Sequence, residues 1–477
     1  MIGKQDILDR AAEWQLRPGV VEKDYVLGWL LAVIGALPAT ESRWVFKGGT
    51  CIKKCYFETY RFSEDLDFTL LTEAAYTVEG LREIATEITL RTQKESGIEF
   101  PVELVQVRSQ QNKQGFPTFQ VRLSYRGPLG GPRDLPRVLF DLTRYEPVQE
   151  APVRRPILHA YPDELPEGAS VSTYTFDELL AEKTRALYER TRPRDLYDVV
   201  YLLDNQPEAF HLFQTRTLFR MKCSVKGLET PSADQLLQVI LNEAELHSEW
   251  HNMLGHQLPA LPDLDQMLSR LPALLKWIDQ PEAVLPATQL APVVYPPAEA
   301  AFAPAGIQYR GDALPSEAIR FAGTNHLLVE FDYHDKHRRA EPYSLRRPAT
   351  GNLLLYAWEV DSKHIKAFKL AEIRNLRTTN TSFSPRYRIE LSGYGTIPPP
   401  ATHRLPGFPR SSLLGFSDGS KRRPTSRYGP TYVFRCPYCQ KEFHHSNNDP
   451  ALRKHKTQDG YRDCQGRRGY FVRTEHR

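Results

Sequence analysis

The sequence predicts a multidomain protein with a mixed α/β (α+β) N-terminal part, followed by a smaller β-rich region and a short cysteine-containing segment. The length of 477 residues exceeds what one hydrophobic core usually supports. In the first part, polar motifs lie on short apolar strands that precede helical patterns, which is typical of an α/β or α+β unit. Two proline-rich stretches, 281–306 and 393–429, interrupt the pattern, and we interpret them as linkers.

The linkers divide the chain into three candidate domains. We expect region 1–280 to form the mixed α/β unit with a helical extension, region 307–392 to be β-rich, and region 430–477 to be a basic metal-binding segment. Within the first region, hydrophobic periodicity predicts a helix over 20–37, strands over 44–46, 67–70 and 138–142, and helices over 176–190 and 195–203.

Composition indicates a globular protein outside the membrane. The hydrophobic fraction is 41%, and the longest apolar run, 25–37, is too short to span a bilayer. The N-terminus has no basic stretch followed by an apolar one, the pattern of a secretory signal. We therefore expect a cytoplasmic protein with no membrane partner.

Charge is distributed unevenly along the chain. Residues 401–477 hold 16 Lys or Arg and 6 Asp or Glu, a net charge of +10, whereas the whole chain carries +4 and the first 400 residues therefore −6. A basic tail on an acidic body indicates a polyanionic partner such as nucleic acid. The alternative is a basic surface that only aids solubility.

Three aspartates lie on predicted strands. Asp65 and Asp67 stand at i and i+2, so their side chains point to the same face of a strand. Paired carboxylates are typical ligands for the Mg²⁺ (or Mn²⁺) that offsets charge in phosphoryl and nucleotidyl transfer. Asp141 lies inside an apolar strand and could supply a third carboxylate or activate the acceptor hydroxyl.

The turn at Gly48-Gly49-Thr50 comes directly after the first predicted strand. Without side chains at the two glycines, backbone N–H groups can approach phosphate oxygens closely. We therefore predict that this turn binds the phosphates of a nucleoside triphosphate. On its own, such a turn is more often only a turn.

Four segments together resemble the AbiEii/AbiGii toxin nucleotidyltransferase family. They are 21–25, 46–50 with its continuation 61–68, 182–187 and 194–198, and they span roughly the first 205 residues in the expected order. The sequence departs from the family at Thr50, where Ser is frequent, and keeps the hydroxyl. The resemblance implies a nucleotidyltransferase fold for the first region.

The resemblance also implies roles for particular residues. Asp65 and Asp67 would bind metal, Ser63 would support the site, Lys183 would hold the triphosphate, and Asp198 would serve the catalytic network. Without the resemblance, Lys183 and Asp198 would be interpreted as an ordinary surface ion pair.

We also expect Asp195, beside Pro193, to cap its helix.

Members of this family act as toxins of toxin–antitoxin pairs and in phage defence, and some add nucleotides to the acceptor end of tRNA. The resemblance thus implies an NTP-dependent transferase with an RNA acceptor, the 3′ end of tRNA being one candidate, and a cognate antitoxin. Two alternatives stay open: a nucleic-acid-binding regulator with a degenerate catalytic half, and nucleotidylation of a protein hydroxyl.

The middle region alternates apolar and polar residues over 327–376, which predicts a small β-barrel or sandwich. Segments 341–346, 354–358 and 365–373 resemble a WYL domain, a family that senses ligands or nucleic acids. The sequence departs at Glu372, where that family usually has a basic residue.

Three residues of the middle region are candidates for contact with an anion, nucleotide or nucleic acid: Arg338, Tyr343 and Arg346. The alternative is a core aromatic with solvated arginines.

The C-terminal region carries Cys436, Cys439, His455 and Cys464, whose spacing predicts a closed tetrahedral Zn²⁺ site. His444 or His445 could replace His455 as a ligand. A redox-active dithiol is the competing interpretation of Cys436 and Cys439. Because so short a segment buries little apolar surface, we expect zinc to fold it.

Basic residues of the C-terminal region would then face nucleic-acid phosphates. They are Arg453, Lys454, Lys456, Arg467 and Arg468.

Overall fold

A computed structural model describes most of the chain. The described residues are 1–71, 76–111, 117–130, 135–144, 146–206, 210–282, 285–291, 293, 300–301, 316–347, 353–391, 431–445, 451–457, 462–467 and 469–475. They form two compact units, Met1–Thr396 and Ile397–Arg477. The predicted regions 1–280 and 307–392 lie together in the first unit. Much of linker 281–306 and all of linker 393–429 lie outside the described residues.

The α-helices that the structure describes all belong to the first unit. They are α1 (Lys4–Glu13), α2 (Pro18–Ala36), α3 (Gly48–Cys51), α4 (Val78–Ser96), α5 (Phe176–Arg190), α6 (Pro193–Asp204), α7 (Leu212–Val225), α8 (Ala233–Leu241), α9 (Ala244–Leu254), α10 (Leu264–Leu274) and α11 (Ser316–Thr324). A π-helical turn, Ile52–Tyr56, continues α3. No helix within the described ranges is long and apolar enough to cross a membrane.

The strands form two larger sheets in the first unit and two small ones in the second. They are β1 (Trp44–Lys47), β2 (Asp65–Leu70), β3 (Gln106–Gln111), β4 (Pro117–Ser124), β5 (Arg137–Thr143), β6 (Val153–Pro156), β7 (Ser170–Thr173), β8 (Ala300–Ala301), β9 (Leu327–Tyr333), β10 (Lys336–Arg347), β11 (Leu354–Glu359), β12 (His364–Lys369), β13 (Arg374–Ser382), β14 (Thr431–Arg435), β15 (Glu442–His445), β16 (His455–Lys456), β17 (Asp463–Cys464) and β18 (Tyr470–Glu475).

The first sheet is mixed and has the order β3-β4-β5-β2-β1-β7-β6. The β2–β5 and β1–β7 pairs are parallel, and the other pairs are antiparallel. Helix α2 packs against β7, α1 and α4. Because neighbours surround it, α2 is apolar on nearly all sides, and 14 of its 19 residues are buried. This packing covers β7, which lies next to β1 in the sheet.

A helical part follows the sheet, as the sequence predicts. Helix α5 packs against α6 and α7, and α6 packs against α9 and α10. The predicted helix over 176–190 is confirmed with the same bounds, and the helix predicted over 195–203 begins two residues earlier, at Pro193. Proline suits the first turn of a helix because the N–H it lacks would have no partner there.

The prediction of a small barrel in the middle region is wrong for the described residues. Strands β9–β13 form a sheet in the order β12-β11-β10-β9-β13, with β8 added to β10, and the edge strands β12 and β13 do not pair. Helix α11 packs against β9, β10 and β13 and joins the core of the first unit. A second apolar cluster around Tyr343 and Phe383 covers the other face. Apolar side chains on both faces of the central strands β9, β10 and β11 are therefore buried without closure of the sheet, whereas β12 and β13 are mostly exposed or half-buried.

The second unit contains the three-stranded sheet β15-β14-β18 and the two-stranded sheet β16-β17. Its apolar cluster is small and consists of Phe434, Cys436, Leu452 and Cys464, with three partly buried side chains against them. So small a core contributes little stability by itself.

Candidate active site

Three carboxylates meet where β1, β2 and β5 lie side by side. Asp67 is opposite Lys47 in the antiparallel β1–β2 pair and opposite Asp141 in the parallel β2–β5 pair. Asp65 lies two residues before Asp67, so its side chain points to the same face of the sheet. All three aspartates are partly exposed. The sequence predicted the pair Asp65 and Asp67 with Asp141 as a candidate third carboxylate, and the register places Asp141 beside Asp67.

Burial and the neighbouring carboxylates disfavour the charged forms of Asp65 and Asp67. Burial raises the pKa of Asp67 to about 6; Lys47 and Lys183 oppose this rise, and Asp141 and Asp65 add to it. Burial likewise raises the pKa of Asp65, and Asp141 contributes further. A divalent cation placed among these carboxylates would relieve the repulsion.

The two glycines of the turn allow the backbone to lie against the side chains of the site. Gly48 has φ of +80°, and a Cβ there would come 2.2 Å from Oδ2 of Asp67. At Gly49, a Cβ would come 2.8 Å from Nη2 of Arg61 and 3.1 Å from Oγ of Ser63. Larger residues would therefore displace Asp67, to which the resemblance gives metal binding, and Ser63, to which it gives support of the site.

Thr50 is fully buried, and its hydroxyl donates a hydrogen bond of 2.5 Å to the carbonyl oxygen of Asp65. This bond ties the first turn of α3 to the start of β2. The Thr50 hydroxyl is therefore occupied by a bond within the protein.

Asp198 is fully buried and binds two cations. Its carboxylate accepts bonds of 2.7 and 2.9 Å from Nε and Nη2 of Arg61, and Nζ of Lys183 lies 2.8 Å from it. Although burial opposes ionisation, Arg61 and then Lys183 hold the pKa of Asp198 well below its usual range. The pair of Lys183 and Asp198 is thus not a surface ion pair. Two cations and one anion leave the triple with a net charge of +1.

The expected helix cap at Asp195 is wrong. Helix α6 begins at Pro193, and its N-cap residue, Arg192, makes no side-chain cap. The carboxylate of Asp195 instead accepts bonds of 2.6 and 2.8 Å from Arg190 at the end of α5. This ion pair links the end of α5, which carries Lys183, to the first turn of α6.

Sequence reasoning gave no role to several cations around the carboxylates. Lys23 lies 3.0 Å from Glu64 and lowers the pKa of Asp65, as does the exposed Arg194. Lys47 forms a buried ion pair with Glu146. All three cations lie inside the segments that resemble the family, 21–25, 46–50 and 194–198. Clustered aspartates need positive charge nearby, and this requirement could have identified the three residues from the sequence.

The residues proposed for ligand contact in the middle region make internal contacts. Tyr343 is fully buried, and its hydroxyl donates to Glu341 at 2.5 Å. Arg346 pairs with Glu390, and Arg338 with Glu359. A buried tyrosine ring cannot stack on a base, and both arginines already have carboxylate partners.

The four predicted zinc ligands of the second unit come together. The ligand atoms of Cys436, Cys439, His455 and Cys464 all lie within 4.8 Å of one another. Neither His444 nor His445 belongs to this group within the described ranges.

Residues 29–276 match the model of a family described as nucleotidyl transferase AbiEii toxin of type IV toxin–antitoxin systems. The chain is also similar to the nucleotidyltransferase toxin MenT4 from Mycobacterium tuberculosis H37Rv, with 20% identity and a TM-score of 0.39 over 58% of this chain and 88% of the other. It is similar to JHP933 from Helicobacter pylori with 15% identity and a TM-score of 0.34 over 56% and 95%. A comparison with curated protein sequences found no match.

Proposed function

Because the chain belongs to the AbiEii family of nucleotidyltransferase toxins, we propose that it transfers a nucleotide from a nucleoside triphosphate to a hydroxyl group at the 3′ end of an RNA, with tRNA as the preferred acceptor. The observation that carries this proposal is the register of β2 and β5. It sets Asp67 beside Asp141, with Asp65 on the same face of the sheet. Gly48 lies against the Asp67 carboxylate.

Asp65 and Asp67 would hold the divalent cation, Mg²⁺ or Mn²⁺. The oxygen ligands, the shared face and the raised pKa of Asp67 all suit a hard cation that replaces repulsion by attraction. Such an ion, when bound, stabilises the charge that develops on the transferred phosphate.

Lys183 would bind the triphosphate. Its side chain is 11% exposed, whereas that of Arg61 is 4% exposed, so Lys183 is the more accessible cation of the net positive triple. Asp198 holds the ammonium in position, and helix α5 provides a rigid support. A positioned ammonium in a partly buried site interacts strongly with phosphate oxygens.

Asp141 would accept the proton of the acceptor hydroxyl. It is next to Asp67 in the sheet, and Gln120 donates to it at 3.2 Å, which fixes its orientation. In the proposed step, the hydroxyl oxygen forms a bond to the α-phosphorus, the bond to the bridging oxygen breaks, and pyrophosphate leaves. Asp141 takes the proton.

An RNA acceptor is supported by the net charge of +10 on residues 401–477. The family description places such enzymes in toxin–antitoxin systems, so we also propose that a cognate antitoxin restrains this chain. The antitoxin would prevent the addition of nucleotides to the RNA of the cell.

The proposal is tested by incubating the purified chain with each α-labelled triphosphate, Mg²⁺ and total RNA, followed by gel separation. Label in a tRNA-sized band is expected, and prior periodate oxidation of the RNA should abolish it because the 3′ hydroxyls are then destroyed. Label that survives oxidation would contradict transfer to the 3′ end. Label on protein would instead contradict the RNA acceptor.

A further inference from the structure

The second unit gathers three sulfur atoms and one imidazole nitrogen from separate parts of the chain. Cys436 and Cys439 come from the turn after β14, His455 from β16 and Cys464 from β17. The sulfurs of Cys436 and Cys464 are 3.6 Å apart. Two thiolates at about 2.3 Å from one tetrahedral ion would be about 3.8 Å apart, whereas a disulfide bond measures about 2.05 Å.

The hydrogen bond of His455 shows which of its nitrogens is available. Nδ1 lies 2.7 Å from the carbonyl oxygen of Arg453. A carbonyl oxygen only accepts, so Nδ1 carries a proton, and Nε2 is the nitrogen that can offer a lone pair to a metal. Nε2 is buried and has no hydrogen-bond partner among the described residues. An imidazole that donates one N–H to a carbonyl and offers the other nitrogen is the usual state of a metal-bound histidine.

The backbone near Cys464 is shaped around the sulfurs. The N–H of Gly466 points to the sulfur of Cys464 at 3.4 Å, and a Cβ at Gly466 would come 2.4 Å from the sulfur of Cys436. Arg467 donates 2.7 and 2.9 Å bonds to the carbonyl oxygens of Cys464 and Gly466. An N–H donor and a nearby cation both stabilise thiolate charge.

We infer that Cys436, Cys439, Cys464 and Nε2 of His455 bind one Zn²⁺ as a structural site. Three sulfurs and one nitrogen form the donor set that zinc takes in closed tetrahedral sites, and four protein ligands leave no position for a substrate. The metal joins the β14–β15 hairpin to the β16–β17 pair across a core of only a few apolar side chains. This site is independent of the transferase and holds whether or not the acceptor is RNA.

The test uses the full chain purified without chelator. We expect one zinc per chain by elemental analysis, released by a mercurial that titrates thiols. Replacement by Co²⁺ should give the charge-transfer and visible absorption of a tetrahedral ion with sulfur ligands. A chain that carries no zinc and does not bind Co²⁺, or one with a disulfide between Cys436 and Cys439, would overturn the inference.

Two histidine variants test the ligand set. His455→Ala should lose stoichiometric zinc and the tetrahedral cobalt spectrum, whereas the matched control His444→Ala should keep both. The opposite pattern would overturn the assignment of His455. Because His455→Ala could unfold the second unit, Gly466→Ala provides a further check. It leaves all four ligands in the sequence, and the contact with Cys436 should weaken zinc retention against a chelating dye by about tenfold or more.

Discussion

Asp198 and Lys183 form a buried ion pair of 2.8 Å, and the same carboxylate holds Arg61 through two further bonds. The carboxylate is fully buried, whereas the Lys183 side chain keeps 11% of its surface exposed. Asp198 therefore supports the structure, whereas Lys183 is partly exposed and lies close enough to Asp67 to oppose the rise in its pKa.

Substitutions of these two residues should have different effects. Asp198→Asn leaves two buried cations without a counterion and should lower the free energy of unfolding by about 3–5 kcal/mol. Lys183→Met leaves Asp198 with both bonds from Arg61 and should cost only about 1–2 kcal/mol. Its rate of nucleotide transfer should nevertheless fall about 100-fold or more. Urea unfolding and initial rates measure both quantities, and equal destabilisation by the two changes would contradict the assignment.

Gly48→Ala should impair transfer because the new Cβ meets the Asp67 carboxylate and the backbone has φ of +80°. We expect a loss of activity of at least tenfold and a stability cost of about 1–2 kcal/mol. The control is Gly19→Ala, which lies in helix α2 with nothing within 4 Å of the added Cβ. That control should retain activity and be slightly stabilised, because alanine favours a helix. Similar behaviour of the two variants would be inconsistent with the close contact at Gly48.

Mg²⁺ should stabilise the free protein against heat. The carboxylates of Asp65, Asp67 and Asp141 repel one another, and a bound cation removes that repulsion. The midpoint of thermal unfolding should rise by several degrees at millimolar Mg²⁺, and the rise should be absent in Asp67→Asn. The exposed Asp361→Asn serves as a control for nonspecific charge effects and should respond like the original chain. A rise that persists in Asp67→Asn would place the cation elsewhere.

His326 should make the first unit sensitive to mild acid. Burial lowers the pKa of His326 to about 4, although Asp204 lies 3.9 Å away and opposes the shift, and Arg270 adds to it. In the unfolded chain, His326 takes up a proton near pH 6.5, whereas in the folded protein it does so only near pH 4. The free energy of unfolding is therefore highest above pH 6.5 and declines as the pH falls toward 4. The loss should reach about 3 kcal/mol at most.

The variant His326→Asn cannot take up this proton, and asparagine tolerates the φ of 55° at this position. Unfolding by urea at several pH values between 7 and 4 should show a shallower decline for the variant. Parallel declines would show that other groups cause the acid sensitivity.

Local patterns in the sequence identified the elements that carry the site. Helix α5 begins where predicted because Thr175 caps it, accepting a bond of 3.2 Å from the N–H of Glu178. Strand β2 follows from its alternating polar and apolar residues. Such features depend on a few neighbouring residues and can be recognised without the rest of the chain.

Partners distant in sequence could not be predicted in the same way. Arg61 and Asp198 are 137 positions apart, and no local pattern pairs them. The prediction that Asp195 caps α6 failed because its carboxylate pairs with Arg190 at the end of the preceding helix, α5. The sequence predicted the strands of the middle region but not their arrangement. A sheet covered by α11 has the same alternation of apolar and polar residues as a barrel.

The proposed nucleotide transfer depends most directly on the two carboxylates of β2, Asp65 and Asp67. The decisive measurement is the rate of label transfer from α-labelled triphosphate to RNA by the original chain, by Asp67→Asn and by the control Asp361→Asn, after circular dichroism shows that all three are folded. We predict transfer by the original chain and the control and a rate at least 1,000-fold lower for Asp67→Asn, because a metal ligand is removed. Transfer by Asp67→Asn at the rate of the control would contradict the site.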